Sequence, residues 1–195
     1  MALQTNDWYL EQHITENWSY ADELFTPDET KKIIDNFNID LSQGEVGGKV
    51  DLATIRRSKV HFIDSKNPDN AWIFQRITGA IIDLNKRFFH FDLEKIETLQ
   101  FSVYDESYKG FYDKHIDIMY RSTGFRKLSF SVLLSDPEDF EGGDLLLHYG
   151  TDPDKAHRVT GGLTLFPSYA LHEVTPVTKG TRYALVGWVW GPRFK

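Results

Sequence analysis

The 195-residue sequence has no cysteine. That absence excludes disulfides, thiolate nucleophiles, iron–sulfur clusters and every zinc site that uses a thiolate. Any metal must then be held by His and carboxylate side chains. Long apolar runs are missing too: the longest, Tyr183 to Gly191, is far too short to span a bilayer, so no membrane association is expected. The first twelve residues show neither a basic head nor an apolar core, so no export leader is expected, and a cytoplasmic location is. Positive charge is in deficit, with 22 Lys+Arg against 29 Asp+Glu and a formal charge of −7. This balance argues against a broad nucleic-acid footprint. There is no internal repeat or low-complexity tract, and the length suits one domain over residues 1–195 with its own core.

What is present falls into two parts, a helical support over about 20–92 and a β core over about 96–191. Thr26-Pro27-Asp28-Glu29 reads as a capping box with Pro at the first helical position, opening a helix that turns Ile33, Ile34 and Phe37 inward. Ser42 to Lys49, with Gly44, Gly47 and Gly48, predicts a mobile loop, and Lys59 to Ile63 a short strand. Ile73, Ile77, Ala80, Ile81, Leu84 and Phe88 then recur at three- and four-residue steps, one apolar helical stripe. After Ile96 the period falls to two. Leu128, Phe130, Val132 and Leu134 alternate with Ser129, Ser131 and Ser135, leaving Leu133 on the outer face. Further strands are expected at Leu99–Tyr104, Phe111–Ile118, Leu145–Tyr149, Leu163–Phe166 and Arg182–Trp190, with a turn over Thr175 to Gly180. The fold class expected is α+β, mainly β: an antiparallel core of jelly-roll type with the N-terminal helices packed on one side.

Seven histidines are the candidate ligands. A His followed two residues later by an acid is expected about once by chance from composition alone. It occurs twice, at His90-Phe91-Asp92 and His115-Ile116-Asp117. His90 follows the strong amphipathic helix, where a His favours the dipole and caps carbonyls, so it is read as structural. His115 and Asp117 fall inside a predicted strand, where residues two apart share a face and can bind one ion together. For the third ligand His172 stands out. It follows the strand and Pro turn Leu163 to Ser168, and the Thr175–Gly180 turn would bring the Arg182 strand back beside it. An Arg pointing into a β core needs an anionic partner, and a metal-chelating dicarboxylate would supply one bidentately. Two His and one carboxylate with open positions form the facial triad of non-haem Fe(II) oxygenases.

On these residues the chain resembles the Fe(II)/2-oxoglutarate-dependent dioxygenases, specifically the prolyl 4-hydroxylase-like (PKHD-type) group. His115-Ile116-Asp117, His172 and Arg182 match its motifs in identity and order, and Glu141 to Leu145 and Leu165 to Ser168 match the segments between them. The resemblance spans roughly Tyr20 to Gly191. It implies a double-stranded β-helix holding Fe(II) by His115, Asp117 and His172, with the far carboxylate of 2-oxoglutarate on Arg182. Fe(II), 2-oxoglutarate and O2 are the implied cofactors, with ascorbate as an accessory reductant, and the implied chemistry is hydroxylation of a C–H bond coupled to loss of CO2.

The same resemblance points to further residues. Tyr104 corresponds to a tyrosine that hydrogen-bonds 2-oxoglutarate, although a buried core tyrosine with a satisfied hydroxyl has the same look. Tyr112 matches an aromatic at the substrate mouth, but its odd offset from His115 requires a bend in the strand. Trp188 shares a face with Arg182 by parity and matches a substrate-side tryptophan. Thr164 and Ser131 are candidates for the co-substrate carboxylate, with plain strand packing as the alternative. Arg56-Arg57-Ser58 resembles a region that closes over peptides, with Arg57 as the substrate-side candidate; a solvated loop reads the same. The function implied is peptidyl-prolyl 4-hydroxylation of a proline-containing protein or peptide. Hydroxylation of a free amino acid or small metabolite, and a non-catalytic metal-binding module, are the alternatives. Nucleic-acid demethylation is disfavoured because alkylation-repair relatives carry a second Arg where this chain has Trp188.

Overall fold

The structure, a computed structural model, describes residues 15–44, 54–121 and 124–193. Its first half contains β1 (Ser19–Ala21), α1 (Pro27–Phe37), β2 (Ser42–Gln43), β3 (Arg56–Arg57), β4 (Lys59–Ile63) and α2 (Ala71–Leu84). There follow β5 (Lys95–Ile96), β6 (Leu99–Asp105), β7 (Phe111–His115), β8 (Tyr120–Arg121), β9 (Gly124–Leu133) and β10 (Phe140–Gly142). Last come β11 (Leu145–His148), β12 (Asp154–Lys155), β13 (Leu163–Pro167), β14 (Leu171–Val174) and β15 (Val177–Gly191). No helix among the described residues is long and apolar enough to cross a membrane.

Among the described residues the strands form two antiparallel sheets. The larger runs β1-β13-β9-β15-β6-β4-β2, with β5, β8 and β10 paired at its margins; the smaller runs β12-β11-β14-β7-β3. From β6 onward the chain crosses repeatedly between the sheets, with β8–β9 and β11–β12 pairing as sequence neighbours, and the two sheets make the jelly roll. Both helices lie against one face of the large sheet. The capping box that opens α1 is formed: Thr26 Oγ1 accepts from Glu29 N and Glu29 Oε2 accepts from Thr26 N. Its Ile33 and Phe37, with Ile73, Ile77, Ile81 and Leu84 of α2, pack on Leu99, Phe101, Leu128, Leu165 and Leu185.

Four expectations change. The serines of β9 do not face solvent, and Leu133 is not on an outer face. Ser129, Ser131 and Leu133 are 1%, 8% and 6% exposed, because the second sheet covers that side. Alternation here separates two interiors rather than inside from outside. The turn after β14 is only Thr175-Pro176; Gly180 lies within β15 opposite Phe140, with φ of 69°. The α2 stripe passes into a π-helical turn over Asn85–Phe89 instead of ending as regular helix at Phe88. His90 closes it in the left-handed region (φ 58°), its backbone N–H donating to Asn85 O, so the cap is made by its main chain. Of the predicted glycine-rich loop, Ser42-Gln43 pairs with β4, and residues 45–49 lie outside the described residues.

Candidate metal centre and cavity

Strand β7 ends at His115, two residues short of Asp117, so strand parity is not what brings the two together. The chain instead leaves the sheet, and Asp117 N donates to Ser168 O at the end of β13. His172 sits directly opposite His115 across the β14–β7 ladder, with ring centroids 4.2 Å apart. The three side chains converge, their ligand atoms all within 4.8 Å of one another. His115 Nε2 is 3.7 Å from Asp117 Oδ1, and His172 Nε2 is 3.4 Å from Asp117 Oδ2. The outward ring nitrogens are tied to main-chain carbonyls: His115 Nδ1 to Asp113 O at 2.7 Å, and His172 Nδ1 to Ala170 O at 2.9 Å. A carbonyl can only accept, so each Nδ1 carries the proton and each Nε2 lone pair points to the centre.

The electrostatics fit a cation there. Burial opposes the Asp117 charge, but the hydrogen bond and charge of His172, with His115 behind, hold its carboxyl well below the usual range. Burial also opposes a charged His172, yet contact with Asp117 outweighs it and raises that imidazole. His115 is pushed down to about 4, chiefly by burial and then by His172. Two imidazoles and one carboxylate, with no thiolate, suit Fe(II).

A cavity of about 350 Å3 opens from this centre between the sheets. Arg182, 3% exposed, lines the same cavity from the sheet opposite His172 rather than from a returning neighbour strand. Among the described residues no carboxylate lies within ion-pair distance of Arg182, and its buried Nε has no hydrogen-bond partner. Burial lowers its pKa, and nearby Arg158 lowers it further, against Tyr104 and Asp144. Such an orphaned cation fits the far carboxylate of a dicarboxylate chelating the metal. Tyr104 pairs with Arg182 across β6 and β15, its ring 5.5 Å from the guanidinium carbon. Ser131 lines the same cavity; Thr164, its cross-strand partner, lines a smaller chamber behind Arg182.

The bend that Tyr112 requires is present. Between His172↔His115 and Val174↔Tyr112 the register slips, so three steps along β7 match two along β14. This bulge returns Tyr112 to the cavity face, stacked on His115 at 3.6 Å between centroids. Trp188 also lines the cavity, and its indole N–H further lowers Asp117 at a geometry short of a full hydrogen bond. Arg57 is not on the cavity wall: it lies over Phe111 and donates to Tyr108 O. Its neighbour Arg56 is on the wall, stacked over Tyr112.

Sequence reasoning missed Arg126. Regular alternation in β9 would turn it to the helices with Leu128. A register break against β15, where Val189↔Leu128 is followed by Trp190↔Arg126, makes Lys127 the extra residue and swings Arg126 into the cavity. There its guanidinium lies 3.9 Å from the Trp188 ring, and its Nε donates to Glu97 Oε2 at 2.6 Å. No local sequence signal marks this bulge. Of the other histidines among the described residues, His61 packs on Phe37, His148 meets Glu173, and His157 meets Asp22.

Comparison with known proteins agrees with this geometry. Residues 99–190 match the family described as the 2OG-Fe(II) oxygenase superfamily. A PKHD-type hydroxylase of Prochlorococcus marinus is 41% identical over 88 residues, 45% of this chain and 40% of that protein. Another from Gloeothece citriformis is 41% identical over 98 residues, 49% of this chain and 43% of that protein. The matched region therefore spans about two fifths of these relatives. Among solved structures, a Trichoplax adhaerens prolyl hydroxylase in complex with a hypoxia inducible factor peptide fragment aligns with a TM-score of 0.75 at 21% identity, covering 90% of this chain and 84% of that one. A Pseudomonas putida prolyl-4-hydroxylase aligns at 0.71 and 21% identity, covering 93% and 95%. At these identities the structures show a shared fold.

Proposed function

We propose that this chain, whose residues 99–190 match the 2OG-Fe(II) oxygenase superfamily, is an Fe(II)- and 2-oxoglutarate-dependent hydroxylase of peptidyl proline, working as one catalytic unit. The observation that carries this is the pairing of two ends of one cavity. Three convergent candidate metal donors stand at one end, and at the other a buried arginine with no carboxylate partner among the described residues. Bound Fe(II), with 2-oxoglutarate and O2, supplies the oxidising power for C–H hydroxylation, with succinate and CO2 as co-products and ascorbate as a reductant that keeps the iron ferrous.

The chain's own residues bind, orient and exclude water. His115, Asp117 and His172 hold the ion, and Nδ1–H contacts to carbonyls fix both imidazoles before it arrives. Arg182 takes the far carboxylate, with Tyr104 and Thr164 beside it. That contact sets which way the co-substrate lies in the cavity. Tyr112 and Trp188 form the substrate side, two aromatic rings held in place by stacked guanidinium groups (Arg56 and Arg126), whose remaining apolar surface suits a proline ring. The exposed Phe62 and Met119 extend that apolar surface at the mouth, which suits a chain longer than one residue. The names of the relatives and structural neighbours favour proline as the target.

Purified protein given Fe(II), 2-oxoglutarate and O2 with proline-rich peptides should release succinate and add one oxygen to proline, read by mass spectrometry. Succinate release with an oxygenated free amino acid or metabolite, and unmodified peptides, would replace the peptide reading. Absence of 2-oxoglutarate turnover across the peptides and metabolites would leave a metal-binding module.

A further inference from the structure

Behind Arg182 lies a second, much smaller chamber of about 20 Å3, room for a single water molecule. Ser131, Leu145 and Arg182 line both it and the main cavity, so the two share a wall at the arginine end. The chamber's far side is Arg158. This guanidinium is held in place on three sides. It lies 4.1 Å from the Phe140 ring centre, Nη1 donates to Asp144 Oδ1 at 3.2 Å, and Nη2 donates to Phe140 O at 3.0 Å. Its Nε is buried with no hydrogen-bond partner, the same condition as Arg182 Nε.

Two cations facing one small chamber repel unless an anion joins them. Asp144 offsets this only in part: it pairs with Arg158 at 3.2 Å and with Lys155 at 2.8 Å but not with Arg182, so one carboxylate stands against three cations. Gly143, with φ of 62°, keeps the space open: a methyl group added there would lie 3.0 Å from Arg182 Cδ. The deficit of negative charge therefore lies where the main cavity ends.

We infer that Arg158 is a positioning residue for the dicarboxylate co-substrate, a second cation that acts through Arg182 and their shared chamber on the far carboxylate. Arg182 makes the direct contact, and Arg158 raises the positive potential behind it and holds Arg182 forward by like-charge repulsion. The site then discriminates for the second carboxylate more strongly than one arginine would. This rests on the 2-oxoglutarate reading above.

The test is anaerobic calorimetric titration of the Fe(II)-loaded protein with two probes, 2-oxoglutarate and 2-oxobutyrate. Both carry the keto-acid end, and only the first has the far carboxylate. Arg158→Met should weaken 2-oxoglutarate binding about tenfold while moving 2-oxobutyrate by less than about twofold. Arg158→Lys, which keeps the charge, should restore part of the loss. Equal weakening of both probes would show a structural role and overturn the inference, as would unchanged binding of both. A wild-type protein that does not prefer 2-oxoglutarate over 2-oxobutyrate would instead overturn the co-substrate reading itself, and the inference with it.

Discussion

On the helix side of the large sheet, Leu99, Phe101, Leu165 and Leu185 are fully buried; on the other side Ser102, Ser129, Thr164 and Arg182 are buried almost as completely. The same strands carry both sets, in alternation. One face gains stability by removing hydrocarbon from water. The other gives up that gain at each serine, and accepts the desolvation of Arg182 as well, to keep a cavity with buried polar groups between two sheets. Stability and chemistry are thus assigned to opposite sides of single strands, and substitutions should separate them.

The widest separation is expected at His172. His172→Ala should abolish succinate release by removing a proposed metal ligand, while the metal-free melting midpoint stays within about 4 °C of wild type. A large fall in that midpoint would mean the cavity face also carries the fold. On the helix side, Phe101→Ala should cost about 3–5 kcal/mol in urea denaturation, with the activity per folded molecule unchanged. Arg182→Met makes the sharper comparison. Removing a buried cation that has no carboxylate partner among the described residues should stabilise the metal-free protein by about 1–3 kcal/mol, while the KM for 2-oxoglutarate rises at least about tenfold. If the variant is less stable instead, Arg182 is supported in the metal-free fold by more than its cavity. The smallest effect belongs to neither face. His90→Gly, at a left-handed cap, should add about 0.5–1 kcal/mol and leave turnover intact. A loss of turnover there comparable to that of His172→Ala would mean the wrong His-x-Asp pair has been assigned to the metal.

The candidate metal site was legible in the sequence because order and identity survive any local bending: His115, Asp117, His172 and Arg182 stand in the same succession whatever the strands do between them. The sequence carried the helix-side core because Ile73, Ile77, Ile81 and Leu84 repeat at the helical step. What it did not carry was anything set by a bulge or by a second layer. The slip in β7 decides where Tyr112 points, and the one at Lys127 decides where Arg126 points, yet neither leaves a mark in composition. Serines on alternate positions read as a wet face because period two reports which residues share a side, not what covers it. Arg57 and Arg56 are adjacent, and only the pairing of Arg56 with Tyr112 across β3 and β7 decides which one reaches the cavity.

The locked imidazoles have a consequence for metal traffic. Both Nδ1 protons are committed to Asp113 and Ala170 carbonyls, so the donors stand ready with no rearrangement left to reward one ion over another. A rigid nitrogen and oxygen set of this kind follows the ordinary affinity order of divalent ions, in which cobalt, nickel and copper outrank ferrous iron. The protein should therefore accept those ions in competition with iron, and which metal it carries is decided by the supply around it.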